Sequence, residues 1–483
     1  MTPLREVELG ALSPERFRSV LGERFEEVAQ AMVRARSLFE GRVIWNVNST
    51  ARGGGVAELL SSLLAYARGA GIDARWAVID GNPEFFRVTK RIHNHLHGVP
   101  GDGGELGEAE LRVYDGALEH AGAELAAMVH SRDVVFLHDP QTAGLVEPLR
   151  GTGAAVVWRC HVGLDLPTEI ARGAWDFLRP HVESADAFIF SRREFVWEGL
   201  DPDRIWIVPP SIDVFSPKNQ DLAPDVVRAI LARIGVLDGK AAESPSFTRE
   251  DGSPGRVNRQ AELDQDAPVP AGAPLATQVS RWDRLKDPIG VLAGFARHLA
   301  DGEAHLLLAG PSVAAVSDDP EGAEVLAEVR AAREGLPPAI RERVHLACLP
   351  MDDVQENAAM VNAIQRYSDV IIQKSLAEGF GLTVAEAMWK GRAVIASGRG
   401  GILDQIVDGE SGVLLADPAD LAAYGGALRE LLADPSLRER LGVAARARIE
   451  DRFLGTRHLI QYLELLAGLL DSNGQRTSDP GQS

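Results

Sequence analysis

The sequence of 483 residues contains only two cysteines and lacks any long apolar run. Cys160 and Cys348 each lie in a short apolar stretch, VVWRCHV or VHLACLP, which is typical of buried thiols in a reducing compartment rather than of a disulfide framework. No segment approaches the roughly 20 apolar residues that span a bilayer, and the N-terminal residues lack the apolar core of a secretory signal. We therefore expect a cytoplasmic protein without a membrane partner.

Positive charge is also scarce, with 50 Lys and Arg residues against 70 Asp and Glu residues and a net charge of −20. An acidic surface repels phosphate backbones, so we expect no nucleic-acid partner. An anionic substrate must then be captured by a local group of Lys, Arg or backbone N–H groups. The basic residues next to glycine-rich loops are therefore candidates for a binding site.

Length and pattern predict two α/β domains. A single core rarely grows beyond roughly 250–300 residues, so two domains are expected. Short, nearly continuous apolar runs alternate with amphipathic ones, which indicates parallel sheets covered by helices on both faces. The predicted strands are RVIWNVNS, ARWAVID, DVVFLHDP, AAVVWRCHV, ADAFIFSR and RIWIVPPSID, then LATQVSRW, AHLLLAG, RVHLACLP, SDVIIQKS, RAVIAS and SGVLLAD. The predicted fold is two doubly wound Rossmann-like domains facing an interdomain cleft, because open parallel sheets bind ligands beyond the carboxyl ends of their strands.

Composition sets the boundaries that we expect for these domains. A segment rich in Pro, Gly, Ser and charged residues separates the two series of strands and predicts a mobile surface insertion. The expected parts are an N-terminal domain over 1–220 with a helical extension at 14–39, a C-terminal domain over 221–455 with the insertion at about 239–274, a helix over 456–471 that packs back on the first domain, and a disordered tail over 472–483.

The first glycine-rich segment, NSTARGGGVAELL, follows the first predicted strand and opens a helix. Gly53, Gly54 and Gly55 allow close approach of the backbone to a ligand, and a helix N-terminus attracts an anion. The segment either contacts a phosphate or sugar or is simply a flexible turn. It matches neither the GxGxxG pattern nor a P-loop, which argues against a nicotinamide-dependent oxidoreductase and a P-loop nucleotidase.

The segment TQVSRWDRLKDP places two cations directly after a predicted strand. Arg281 and Lys286 at that position are suited to binding a diphosphate and to stabilising the charge of a leaving phosphate, an effect worth about 2.7–4 kcal/mol for one preorganised donor. The alternative is a solvated charged loop.

A second glycine-rich loop occurs in LAEGFGLTVAEAMWKG. Glu378 is suited to accept hydrogen bonds from sugar hydroxyls, while the loop around Gly379 and Gly381 is suited to meet a phosphate. Glu386 has two interpretations: it contacts a ribose, or it forms a capping box with Thr383.

Histidines and acids elsewhere give weaker signals. His161 and Asp139 each follow an apolar strand, where site residues gather, although a lone histidine is often structural. The histidines of RIHNHLHG at alternate positions would face one way on a strand, and DPD at 201–203 resembles a metal-binding motif. We expect neither to bind a metal, because the histidines lack partner ligands and proline suits a turn before the next strand.

Together these segments resemble the retaining B-type glycosyltransferases. LAEGFGLTVAEAMWKGRAVIA is similar to that superfamily's Glu-x7-Glu signature, and VSRWDRLKDP to its Arg–Lys phosphate clamp. IWNVNSTARGGGVAELL, FLHDPQTAGL, VVWRCHVGLD and PPSIDVFSPKN resemble, more particularly, the trehalose glycosyltransferring synthases. The resemblance extends over about 42–451, apart from the insertion.

The resemblance implies roles for individual residues. The implied catalytic residues are Arg281, Lys286, His161 and Glu378. The implied donor-binding residues are Gly54, Gly55, Gly379, Phe380, Gly381, Leu382, Thr383 and Glu386. The implied sugar-binding residues are Asp139, Asn48 and Arg159. No metal or other cofactor is expected besides a nucleoside-diphosphate-glucose as cosubstrate, and a homodimer is compatible with the family.

The expected reaction transfers glucose from that donor to glucose and forms trehalose with retention of configuration. A retaining glycosidase would place a nucleophilic carboxylate and an acid about 5–5.5 Å apart. No pair serving that role is evident, because Glu378 is better suited to binding hydroxyls, which favours a front-face displacement. The alternatives are a retaining trehalose phosphorylase, a transferase with another small acceptor, and a non-catalytic sugar-nucleotide sensor. The donor base, the favoured direction and the oligomeric state stay open.

Overall fold

The computed structural model describes residues 4–51, 55–239, 243–313 and 320–478. The chain divides into two compact units. Unit 1 comprises Met1–Ser211 and Leu454–Ser483, and unit 2 comprises Ile212–Phe453. The chain thus returns to the first unit at its end.

Unit 1 is built on a seven-stranded sheet in the order β1-β3-β2-β4-β5-β6-β7. All neighbours are parallel except β1, which pairs antiparallel with β3. The central strands are apolar and buried on both faces because helices cover the sheet on both sides. The strands are β1 Leu4–Val7, β2 Val43–Asn48, β3 Asp73–Ile79, β4 Val134–His138, β5 Ala155–Cys160, β6 Ala187–Phe190 and β7 Ile205–Ile207.

Unit 2 contains a second seven-stranded sheet, in the order β10-β13-β12-β11-β14-β15-β16, and a separate hairpin formed by β8 and β9. In the large sheet only β10 is antiparallel to its neighbour. The strands are β8 Ser246–Thr248, β9 Pro254–Arg256, β10 Glu262–Asp264, β11 Leu275–Val279, β12 His305–Pro311, β13 Val344–Leu349, β14 Val370–Gln373, β15 Ala393–Ser397 and β16 Val413–Leu415.

Helices connect the strands in both units. Unit 1 contains α1 Arg18–Leu21, α2 Phe25–Leu38, α3 Gly55–Gly69, α4 Pro83–Leu96, α5 Glu108–Met128, α6 Val146–Leu149 and α7 Glu169–Val182. Unit 2 contains α8 Pro224–Ile234, α9 Pro288–His298, α10 Pro320–Glu334, α11 Pro338–Arg341, α12 Val354–Tyr367, α13 Leu382–Trp389, α14 Ile402–Gln405, α15 Leu421–Ala433 and α16 Pro435–Arg452. The last helix, α17 Gly455–Ser478, lies in unit 1 against α2 and α3.

Both sheets have a topological switch point, where the chain leaves a central strand and builds outward in two directions. In unit 1 this point lies between β2 and β4, and in unit 2 it lies between β11 and β14. The loops beyond the carboxyl ends of these strand pairs form the crevice in which doubly wound folds bind ligands. The predicted α/β class, with two doubly wound Rossmann-like domains, is confirmed.

The two antiparallel edge strands are absent from the sequence prediction. The strands LREV and ELD are short and mix charged with apolar residues, so neither stands out as an apolar run. The histidine motif RIHNHLHG, considered above as part of a strand, lies on α4 and the turn after it. The DPD motif does lie in a turn, where the Asp201 side chain accepts a hydrogen bond from the Asp203 N–H.

The segment expected to be a mobile insertion instead contains three strands, β8 to β10. Three widely spaced apolar side chains, Phe247, Val257 and Val269, are buried in the core of unit 2. Arg249 is also paired with Asp353 at the start of α12, with 2.6 Å between Nη2 and Oδ2. Isolated apolar residues in a polar segment show no periodicity, which is why the sequence does not reveal this packing.

None of the helices in the described ranges combines the length and the apolar character that crossing a membrane requires.

Candidate functional site

The switch point of unit 2 brings together two of the predicted site residues. Lys286 lies in a short 3-10 turn after β11, and Glu378 lies in the loop after β14. The Lys286 ammonium donates a hydrogen bond to the Glu378 carboxylate, with 2.7 Å between Nζ and Oε2. Their side chains are only 17% and 9% exposed, so this ion pair is largely shielded from water. The crevice of unit 2 thus contains an ammonium group in direct contact with a carboxylate.

Hydrogen bonds from both strands fix this pair in place. The Ser375 hydroxyl donates to Glu378 Oε2 at 3.0 Å, and the Gln373 amide donates to the Ser375 hydroxyl at 3.0 Å. On the other strand, the Gln278 side-chain amide donates to the Lys286 carbonyl at 2.7 Å. The pair is therefore preorganised by buried side chains that the sequence prediction did not include.

Arg281, the other member of the predicted clamp, has a different environment. Its side chain is 47% exposed, and its guanidinium lies 3.3 Å from the carboxylate of Asp283. Asp283 itself caps the 3-10 turn by accepting from the Leu285 N–H at 2.8 Å. Arg281 thus lies on the same loop as Lys286, with a much more exposed side chain.

The glycine-rich loop leads directly into α13. Gly381 is the N-cap residue, with φ of 83° and no side-chain cap, and its carbonyl accepts from the Val384 N–H at 2.9 Å. The N–H groups of Leu382 and Thr383 precede this first helical hydrogen bond. Leu382 and Thr383 form the first turn and are half-buried. Such a terminus attracts an anion through its partial positive charge.

The capping box predicted for this helix is absent. Because Gly381 already serves as the N-cap, Thr383 is the second residue of the helix and lies two positions too late to cap it. Glu386 is buried and forms an ion pair with Lys218, with 3.4 Å between Oε1 and Nζ. The capping-box interpretation of Glu386 is therefore wrong, while its predicted ribose contact stays a prediction.

A second pair of glycines, Gly400 and Gly401, packs against the Glu378 loop. The Gly401 N–H donates to the Gly379 carbonyl at 2.9 Å. A Cβ atom added to Gly400 would lie 1.7 Å from the Glu378 carbonyl oxygen. Phe380 is buried and contacts Phe453, with 5.7 Å between ring centroids. In the sequence, the GRGG run after β15 was the signal, not used in the prediction, for the packing of these two glycines against the Glu378 loop.

The switch point of unit 1 gathers the remaining candidates around a strained residue. Asp139 follows β4 with φ of 65° and ψ of 177°, a conformation found essentially only for glycine and costing about 1–3 kcal/mol elsewhere. Its carboxylate accepts a hydrogen bond from the backbone N–H of His161 at 2.8 Å, and its own backbone N–H donates to the Arg159 carbonyl at 2.7 Å. Strained backbone conformations persist only where the surrounding structure enforces them, and they are concentrated at functional sites.

Burial also alters the acidity of this carboxyl group. Desolvation raises the pKa of Asp139 from 3.8 to about 6, against the lowering effects of the His161 N–H and the Arg159 charge. The folded protein therefore binds this proton more tightly than the unfolded chain does. The contribution of Asp139 to stability is fully present below pH 4 and is lost as the pH rises through 6.

Replacing Asp139 by asparagine should remove this pH dependence. Since the shift spans about two pKa units, the difference in unfolding free energy between Asp139→Asn and the parent should move by about 3 kcal/mol in favour of the variant from pH 4 to pH 8. Urea unfolding at several pH values measures it. The surface variant Asp203→Asn is the control, and a pH-independent difference for Asp139→Asn would contradict the expectation.

A chain of neutral side chains runs from β2 to His161. His138 contacts Asn46 Oδ1 through Nε2 at 3.0 Å and His161 Nε2 through Nδ1 at 3.2 Å. Burial and the nearby Arg159 charge lower the pKa of both histidines well below the usual range, so both rings are neutral. The sequence prediction included His161 alone.

Among the other predicted residues of unit 1, Asn48 has protein partners, and the two glycines lie at or beyond the start of α3. The Asn48 side chain accepts from the Trp76 indole at 2.8 Å and donates to the Thr50 carbonyl at 2.7 Å. Gly55 begins α3 and is exposed, whereas Gly54 lies outside the described residues. The predicted sugar or phosphate contacts of these residues stay predictions.

Arg159 is fully buried and its guanidinium contacts α17. It donates to His458 Nε2 at 2.7 Å, to the Tyr462 hydroxyl, and to the Val208 carbonyl at 3.0 Å. The structure therefore gives Arg159 an anchoring function at the last helix, in place of the exposed position that a sugar ligand would suggest.

Arg159→Met should accordingly destabilise unit 1. The substitution leaves three buried acceptors without their donor, and we expect a loss of about 3 kcal/mol in unfolding free energy. Urea unfolding measures it, with Arg172→Met as the control because Arg172 forms only exposed ion pairs. Unchanged stability together with a raised KM for sugar would instead favour direct ligand binding.

Comparison with known proteins relates both units to enzymes that act on sugars. Residues 46–197 match the family model described as trehalose synthase, N-terminal domain, and residues 350–448 match the model described as glycosyl transferases group 1. The trehalose synthase of Pyrococcus horikoshii is 36% identical over 473 residues, which cover 97% of this chain and 99% of the relative.

Two further similarities are weaker. The trehalose phosphorylase of Pleurotus pulmonarius is 28% identical over 84% of this chain but only 54% of its own length. Among solved structures, a UDP-forming α,α-trehalose-phosphate synthase from Burkholderia xenovorans in complex with glucose-6-phosphate aligns with a TM-score of 0.65 at 13% identity. The alignment covers 89% of this chain and 100% of that chain, and it shows a shared fold.

Proposed function

Because the chain belongs to the trehalose synthase family and is a trehalose-related glycosyltransferase, we propose that it transfers glucose from a nucleoside-diphosphate-glucose to glucose with retention of configuration. The product would be α,α-trehalose. The observation that carries the proposal is the pair of Lys286 and Glu378 at the switch point of unit 2. One cation, one carboxylate and an uncapped helix terminus are the groups that a sugar diphosphate requires.

In this proposal the two members of the pair bind different parts of the donor. The Glu378 carboxylate accepts hydrogen bonds from hydroxyls of the donor glucose. Lys286 and the first-turn N–H groups of α13 bind the diphosphate, with Arg281 contributing from the exposed part of the same loop. Glu386 binds the donor ribose. Without donor, the carboxylate and the ammonium neutralise one another, so neither is left as an isolated charge.

The chemical step proposed is a front-face displacement. The bond between the anomeric carbon and the phosphate oxygen breaks first, and negative charge accumulates on the leaving diphosphate. Lys286, Arg281 and the helix N–H groups stabilise this charge. The departing phosphate oxygen then takes the proton of the acceptor hydroxyl, whose oxygen bonds to the same face of the anomeric carbon. The protein thus supplies positioning and electrostatics rather than a general base.

Unit 1 is assigned to sugar binding. His161 would contact the transferred glucose, while Asp139 and Asn48 would bind sugar hydroxyls directly or position the loops that do so. The strained backbone of Asp139 supports this assignment, since such conformations persist where function requires them. Gly55, at the start of α3, would contact the donor.

A retaining trehalose phosphorylase is the second candidate, favoured by the phosphorylase relative. Such an enzyme would use glucose 1-phosphate and inorganic phosphate and would need no ribose contact. The match over 99% of a synthase, against 54% of a phosphorylase, favours the nucleotide-dependent reaction.

The decisive experiment is a product assay. Purified protein is incubated with glucose and each of several nucleoside-diphosphate-glucoses, or with glucose and glucose 1-phosphate. We expect trehalose and a nucleoside diphosphate from the first mixture, with α,α linkage shown by NMR. Trehalose and inorganic phosphate from the second mixture alone would establish the phosphorylase.

A further inference from the structure

In the row of hydrogen-bonded side chains that ends at His161, the chemistry of each group decides which atom donates and which accepts. Asn46 presents its carbonyl oxygen to His138 Nε2, so that nitrogen must carry the proton and donate. A neutral imidazole has one N–H, which makes Nδ1 of His138 an acceptor. The contact of 3.2 Å to His161 then requires the proton of His161 to reside on Nε2. His161 is thereby left with Nδ1 as its lone-pair nitrogen.

We infer that His138 is a positioning residue that, together with Asn46, fixes the tautomer and ring orientation of His161 for sugar transfer. Asn46 and His138 lie on β2 and β4, the two strands of the switch point. The rigid sheet therefore holds these two side chains in place and fixes which ring nitrogen of His138 donates. The inference rests on the proposed contact between His161 and the transferred glucose. A lone-pair Nδ1 accepts a hydrogen bond from a sugar hydroxyl, whereas the other tautomer would present an N–H at that position.

Another buried histidine of unit 1, His458, has the opposite tautomer and serves as an internal reference. Arg159 has only donors, so His458 Nε2 must accept from it at 2.7 Å. The His458 Nδ1–H then donates to the Ser211 hydroxyl at 3.1 Å. The two histidines are therefore expected to give different nitrogen spectra within one protein.

Two variants of His138 separate its hydrogen-bonding function from its volume. His138→Phe keeps an aromatic ring beside Phe136 but removes both nitrogens. His138→Asn retains a side-chain oxygen near the position of Nδ1 and so keeps an acceptor for His161. The phenylalanine variant leaves the His161 N–H unpaired in a buried place, and the asparagine variant does not.

The experiment combines nitrogen NMR of histidine-labelled full-length protein with steady-state kinetics. For the parent we expect His161 protonated on Nε2 and His458 on Nδ1. His138→Phe should release the His161 tautomer, leave the His458 signal unchanged, and lower kcat about tenfold or more with donor KM nearly unchanged. His138→Asn should restore the tautomer and most of kcat.

Different outcomes separate this inference from the proposed function. An Nδ1-protonated His161 in the parent, or an unchanged tautomer in His138→Phe, would overturn the inference whatever reaction is catalysed. A released tautomer with unchanged kcat would overturn the positioning role while trehalose formation stands. If no trehalose forms with any donor, the proposed function fails, and with it the role assigned here. If His138→Phe does not fold, His138→Asn and the parent spectrum still decide.

Discussion

Lys286→Met is expected to lower kcat by about 100- to 1,000-fold, because it removes a preorganised cation at the point where the leaving diphosphate gains charge. The apolar stem is retained, so packing changes little. The Lys286–Glu378 pair is largely shielded, and its loss should cost about 1 kcal/mol or more of unfolding free energy. Turnover and urea unfolding measured on the same preparation separate the two effects.

Arg284→Met is the matched control, since Arg284 lies in the same 3-10 turn. Its guanidinium is 48% exposed and pairs with the surface residue Glu328 at 2.7 Å. We expect kcat within about twofold of the parent, because an exposed pair of this kind contributes little. If Lys286→Met retains turnover within about tenfold of the parent, Lys286 does not bind the diphosphate.

Gly400→Ala is expected to have the second large effect, through the backbone of Glu378. The added Cβ would lie 1.7 Å from the Glu378 carbonyl oxygen and 3.2 Å from that of Gly379, and neither backbone atom can turn away as a side chain does. The φ of 54° adds strain for any residue but glycine. We expect a loss of at least about 3 kcal/mol and at least about a hundredfold in kcat, since the loop that carries Glu378 must move.

Gly409→Ala separates the steric effect from the backbone conformation. Gly409 has a φ of 71°, and nothing lies within 4 Å of an added Cβ. Its substitution should therefore cost only the conformational term, about 1 kcal/mol, and leave kcat unchanged. Circular dichroism, urea unfolding and turnover provide the comparison. Equal effects of the two variants would show that contact with the Glu378 loop is unimportant.

The sequence was sufficient to predict the parallel strands because those strands are buried on both faces. Burial on both faces demands nearly continuous apolar residues, and such runs are visible without any structure. The six strands predicted in each half are all present, from RVIWNVNS to SGVLLAD. It also indicated Lys286 and Glu378, since charged residues at the ends of apolar strands have few structural explanations.

Long-range partners were beyond prediction from the sequence. A local capping box was one of the two interpretations of Glu386, yet the structure pairs this carboxylate with Lys218, distant in the chain. Arg159 was placed near a ligand, yet its donors contact α17, about 300 residues later. Local motifs constrain neighbours along the chain, whereas buried polar groups take whichever partner the fold brings within hydrogen-bond distance.

The sequence alone determined the class of the fold, the order of its parallel strands along the chain, and the residue types of the candidate site. These follow from periodicity and from local chemistry, which act over a few residues. Only the tertiary structure decided that Lys286 meets Glu378, that Asp139 occupies a conformation suited to glycine, and that His138 links Asn46 to His161. Each of these depends on two strands lying side by side, a relation set by the packing of the whole sheet.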